Sequence, residues 1–130
     1  MKVMIVEDEA YIAELIQQIL ENMGNSCVLA ESAVDADRIL DEQVIDAVTL
    51  DLGMPGRCGG MQWLESLARS RPELAQKTLV ITGLSLGPDK VERLARCGAG
   101  ILAKPFTMES LQEAVRVQLA RGESEQPAAN

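Results

Sequence analysis

Four short aliphatic runs in this chain each stop on a charged or hydroxyl residue. Val3–Val6 stops at Glu7-Asp8, Val48–Leu50 at Asp51, Leu79–Ile81 at Thr82, and Ile101–Ala103 at Lys104-Pro105. In a parallel sheet all strands deliver their C-terminal ends to one edge, and open α/β folds bind ligands at that edge. Four such ends bring three acids, a hydroxyl and one ammonium into a single pocket. A divalent cation and a phosphoryl group together need that set.

The segments between the runs supply the helices. Ile12, Leu15, Ile16, Ile19, Leu20 and Met23 follow helical spacing, and Gly24 stops them. Ser26 to Glu31 reads as a second strand. Ser32 with Asp35 makes a capping-box-like start for a helix carrying Val34, Ile39 and Leu40. Ile45 to Leu50 is the third strand, followed by a glycine-rich loop, Gly53 to Gly60, that contains Pro55. The next helix turns Met61, Leu64, Leu67 and Ala68 inward and stops before Pro72, with Trp63 one position off that stripe and read as partly buried. Thr78 to Ile81 is the fourth strand. Pro88 opens a helix holding Val91, Leu94 and Ala95, and Gly98 closes it. After the fifth strand, Ile101 to Ala103, a last helix from about Thr107 points Met108, Leu111, Val115 and Leu119 inward. Met23, Met61 and Met108 read as core filler.

Five strands alternating with five helices predict an α/β fold with a doubly wound, five-stranded parallel sheet. The expected strand order is 2-1-3-4-5, in a flavodoxin-like three-layer αβα arrangement. That order sets the ends of strands one and three side by side, so Glu7, Asp8 and Asp51 meet. A single domain over residues 1–121 is expected, with 122–130 a polar, aperiodic tail or linker stub.

Composition narrows the function. A net charge of −8 repels nucleic acid and anionic lipid, so direct DNA binding is not expected. No run is long enough to span a membrane, and the N-terminus lacks a signal-peptide profile. Three cysteines, Cys27, Cys58 and Cys97, are odd in number and lack metal-ligand spacing, which suits free thiols in a reducing cytoplasm. There is no histidine, so no phosphohistidine can form on this chain.

Three carboxylates in one pocket repel one another, so a pKa must rise, water must enter, or a cation must bind. Mg²⁺ suits oxygen ligands and keeps several waters. Asp8 and Asp51 are its expected direct ligands, Glu7 acts through water, and Gly53 offers a backbone carbonyl. Lys104 would neutralise part of a phosphate's charge and Thr82 would donate a hydroxyl. Asp51 would then attack phosphorus to give an aspartyl phosphate.

The segments V-E-D-E at residues 6–9, D-L-G-M-P from Asp51, I-T-G at Thr82 and K-P-F at Lys104 resemble the receiver domain of two-component response regulators. The match covers about residues 2–120. It implies that Asp51 is the phosphoacceptor, that Glu7 and Asp8 hold Mg²⁺, that Thr82 is the switch hydroxyl, and that Lys104 contacts the phosphate. It also implies phosphoryl supply from a sensor histidine kinase or phosphotransfer protein and a downstream protein target. The domain would be a signalling module rather than an enzyme, catalysing only its own phosphorylation and dephosphorylation. Dimerisation through the face built by the helix after Pro88, the fifth strand and the last helix is compatible with the pattern but not dictated by it. The stretch from Thr82 to Phe106 is similar to receivers attached to hybrid sensor kinases. Met1 directly before the first strand slightly favours a free-standing chain.

Two positions depart from the family. Ile101 stands where an aromatic ring usually serves as the switch partner, and the loop after Pro55 is one residue longer than usual. Other functions fit less well. A haloacid-dehalogenase-type phosphatase needs a general acid at position 53, which is glycine. A flavodoxin-like cofactor site would set Glu7, Asp8 and Glu9 against a phosphate. A phosphorylation-independent pseudo-receiver stays open as an interaction module.

Overall fold

A computed structural model describes residues 1–53, 59–83 and 85–121. The five strands are β1 (Lys2–Val6), β2 (Ser26–Ala30), β3 (Ala47–Leu50), β4 (Thr78–Thr82) and β5 (Gly100–Ala103). They form one parallel sheet in the order β2-β1-β3-β4-β5, as the alternation of runs predicts.

Each face of the sheet carries its own apolar core. Val3, Ile5, Ala47, Leu79 and Ile81 pack against helices α1 (Ala10–Asn22) and α6 (Met108–Leu119). Met4, Val6, Val48, Leu50 and Val80 pack against α2 (Ala33–Glu42), α3 (Gly59–Ser70), α4 (Pro72–Gln76) and α5 (Pro88–Cys97). Covering both faces is what lets consecutive strand residues all be apolar.

Helix boundaries follow local chemistry. The Ser32 hydroxyl accepts from the Asp35 amide at 3.1 Å, and the Glu31 amide donates to the Asp35 carboxylate at 3.2 Å. Thr107 and Ser110 form a reciprocal capping box at the start of α6. Gly98 ends α5 with φ of +83°, a left-handed conformation that a β-carbon disfavours.

One helix was not expected. Pro72 ends α3's pattern but takes the first turn of α4, where its missing amide hydrogen costs nothing. Several inward assignments also fail. Val34 is 80% exposed, and Leu15, Val91, Ala95 and Met108 are exposed too. These residues lie on helix flanks, and short helices bury only a narrow stripe. Conversely Trp63 is buried rather than half-buried, because Asp37 on α2 accepts its indole N–H at 2.8 Å. Met23 and Met61 pack at the core margins. Cys27 and Cys97 are free thiols, with burial pushing the Cys27 thiol up to about 11. Pro55, Cys58 and the tail 122–130 lie outside the described residues.

Candidate functional site

The C-terminal ends of β1, β3, β4 and β5 converge on one open cleft of about 310 Å³. Asp8, Glu9, Asp51, Gly53, Thr82, Gly83 and Lys104 line it. Alternation along the strands fixes which side chains face one another. Glu7 continues the phase of Val3 and Ile5, Asp51 that of Ala47 and Thr49, and Lys104 that of Leu102. All three therefore leave the sheet toward α1 and α6. Thr82 shares the phase of Val80 and reaches the cleft from the opposite face.

Glu7, Asp8 and Asp51 each offer a carboxylate oxygen, and these atoms lie within 4.8 Å of one another. At that spacing a pair of carboxylates repels by about 3.5 kcal/mol at an effective dielectric near 20. Glu7 and Asp51 are buried, at 3% and 8% exposure, whereas Asp8 faces solvent. The Lys104 ammonium donates to Glu7 Oε1 at 3.0 Å and lies 3.5 Å from Asp51 Oδ2. One cation thus bridges two buried acids, and among the described residues the third has no cation of its own.

Burial raises the pKa of Glu7, and the Asp51 charge adds to the rise. The Lys104 hydrogen bond opposes it without cancelling it. Burial pulls Lys104 down, but its hydrogen bond to Glu7 and the charges of Asp51 and Glu7 win, so its pKa rises.

Backbone groups complete the frame. The Gly53 amide donates to Asp51 Oδ1 at 3.0 Å and the Glu9 amide to Glu7 Oε2 at 3.3 Å, orienting both carboxylates. The Asp51 amide donates to the Val6 carbonyl at 3.0 Å, fixing β3's end to β1's. The peptide bond between Lys104 and Pro105 is cis, an isomer the Lys-Pro pair allows. Gly60 had no role in the sequence reading beyond the loop. A β-carbon there would lie 2.8 Å from Leu52 Cα and 3.0 Å from the Asp51 carbonyl oxygen. The start of α3 thus rests on the backbone that carries Asp51, and the paired glycines before a helical stripe were the signal for it. Ile101 is 41% exposed on β5. It pairs in register with Val80, two residues before Thr82.

A family model for the response regulator receiver domain matches residues 3–116. The chain belongs to that family. As a receiver domain it is 33% identical over 124 residues to the transcriptional regulatory protein PmrA of Pectobacterium parmentieri, covering 95% of this chain and 54% of that protein. It is also 33% identical over 122 residues to the sensor histidine kinase AruS of Pseudomonas aeruginosa, covering 88% of this chain and 12% of that one. The virulence transcriptional regulatory protein PhoP of Salmonella typhimurium is 30% identical, over 93% of this chain and 53% of its own length. The receiver thus spans about half the length, or much less, of the curated relatives it matches. A CheY-like receiver domain protein from Methanospirillum hungatei JF-1 shares the fold, with a TM-score of 0.84 at 24% identity over 95% of this chain and 97% of that one.

Receiver domains generally use Mg²⁺, and the donor set here suits such an ion: three carboxylates, no thiolate and no imidazole. No described helix is long and apolar enough to cross a membrane.

Proposed function

We propose that this receiver domain accepts a phosphoryl group on Asp51 from the phosphohistidine of a partner kinase or phosphotransfer protein. The observation that carries this reading is the sharing of one ammonium, Lys104, between Asp51 and Glu7 at the mouth of a three-carboxylate cluster. Asp51 Oδ1 is held by the Gly53 amide, which leaves Oδ2, beside Lys104, to attack phosphorus. As the bond to the donor nitrogen breaks, Lys104 stays protonated and balances charge on the transferred group. Thr82, at the rim of the same cleft, donates its hydroxyl to another phosphoryl oxygen. Asp8 and Asp51 would hold Mg²⁺ directly, with Glu7 through water and Gly53 through its carbonyl. The ion would supply charge neutralisation and in-line positioning of the phosphoryl group.

The product is a signalling state rather than a released compound, since no side chain at position 53 can act as a general acid for turnover. The domain occupies residues 1–121. It works in the cytoplasm, without touching nucleic acid or membrane itself, and passes the signal to a protein target. A homodimer through α5, β5 and α6 is one form that output takes.

The test is incubation with Mg²⁺ and acetyl phosphate, read by intact mass. Wild type gains one phosphoryl mass, and Asp51→Ala and metal-free wild type do not. No gain on wild type, or an equal gain on Asp51→Ala, overturns the assignment and leaves a phosphorylation-independent interaction module.

A further inference from the structure

We propose that Glu9 is a fourth carboxylate of the site, a positioning residue that draws the divalent cation in and raises its affinity; this rests on the cation-binding reading above. Glu9 occupies the N-cap of α1, where Ser, Thr, Asp or Asn usually spends a side-chain oxygen on the helix amides. Here the extended backbone of Glu9 starts the helix, its carbonyl accepting from the Ala13 amide at 2.9 Å, but its side chain makes no capping bond. It makes no hydrogen bond or ion pair with any described residue. The side chain is exposed and lines the same cleft as Asp8 and Asp51.

Three carboxylates (Asp8, Glu9 and Asp51) therefore line a cleft in which Lys104 is the one ammonium among the described lining residues, and the buried Glu7 carboxylate adjoins Asp8 and Asp51 behind it. Glu7 and Asp51 already share that ammonium, and Asp8 is an expected ligand. Glu9 is the acid with no other task. An ion entering from solvent meets it at the rim, where its field adds to that of the buried acids.

The size of the effect follows from charge and screening. In water a unit charge roughly 10 Å from any divalent ion shifts its binding about four- to five-fold at low ionic strength, the scale expected of an acid at a rim. At 1 M salt the screening length falls to about 3 Å, and the advantage shrinks below about two-fold.

The experiment is calorimetric titration of Mg²⁺ into the full chain, in low and in 1 M salt. The chains compared are wild type, Glu9→Gln, Glu9→Asp and, as a control for net charge, Glu14→Gln, an exposed acid further along α1. Support is about five-fold weaker binding by Glu9→Gln in low salt, a difference that collapses in high salt, near-wild-type binding by Glu9→Asp, and little change in Glu14→Gln. Unchanged binding in Glu9→Gln, an equal loss in Glu14→Gln, or a loss that persists at high salt overturns the role of Glu9. Absence of Mg²⁺ binding by wild type instead removes the cation site itself, and Glu9's role with it.

Discussion

Thr49→Val should make this protein more stable. Thr49 lies in the middle of β3, 4% exposed, in phase with Ala47 and Asp51, and its hydroxyl has no hydrogen-bond partner. It adjoins a void of about 10 Å³, barely one water in size, lined by apolar residues such as Val3, Leu20, Leu79 and Val115 and also by Lys77 and Gln118. A buried hydroxyl without a partner forfeits its hydration, at about 1–3 kcal/mol. Valine has the same branching and fits the same rotamer, so the substitution exchanges an orphaned oxygen for a methyl without opening a cavity. The expected gain is about 1–2 kcal/mol, which for a chain of this length raises Tm by about 4–7 °C. Urea unfolding followed by circular dichroism reads it as a higher midpoint at an unchanged slope. Phosphorylation at Asp51, two residues on, should continue. A lower midpoint would refute the argument, because it would mean that a water fills the void and bonds the hydroxyl.

Glu7→Gln in chelator should raise Tm at pH 7, and the gain should vanish toward pH 4.5. The raised pKa of Glu7 makes its stabilising contribution full below the unfolded value of 4.5 and lost as pH climbs through the folded value. A Tm gain that grew on acidification would contradict this sign. Lys104→Met should lower stability at pH 7 by about 1–3 kcal/mol in chelator, since two buried acids lose their shared cation. Added Mg²⁺ should recover part of that loss, and an unchanged denaturation midpoint would show the pair to be idle. Gly60→Ala should cost about 1–3 kcal/mol through the clash with Leu52 and the Asp51 carbonyl, visible as a lower urea midpoint.

The strand runs and their order were legible because a parallel sheet buried on both faces imprints short, wholly apolar segments on the sequence. The same burial hid which face each residue uses. Val3 to Val6 are all buried, so nothing in the sequence says which of the two faces Ile5 and Glu7 share. The meeting of Glu7, Asp8, Asp51 and Lys104 at one edge could therefore be read, but not that Thr82 arrives from the other side. Helix stripes were less legible. Val34 and Met108 fit the apolar period yet lie on exposed flanks, while the polar Gln118 is buried. Its amide bridges the carbonyls of Gln76 and Gly98 at 2.6 and 3.0 Å, and no local pattern announces such a long-range partnership. Trp63 went under-buried for the same reason, its anchor being Asp37 on another helix.

The chemistry and its readout are built from different materials here. Every group proposed to touch the phosphoryl unit sits at a strand end, where the sheet fixes its position. Ile101 sits on β5, already 41% exposed, and has no polar tip to hold it in either of two places. Moving its side chain between solvent and core exchanges only apolar area, a contrast of about 1–2 kcal/mol at most. A second tie on that side is between helices: Arg93 on α5 donates to Glu65 on α3 at 2.8 and 2.6 Å, a two-pronged pair with both side chains about one-third exposed. The Arg93 hydrogen bond holds the Glu65 carboxyl below the usual range, outweighing the opposing effect of burial. A rearrangement that began at Thr82 and displaced α5 would have to carry α3 with it or break this pair.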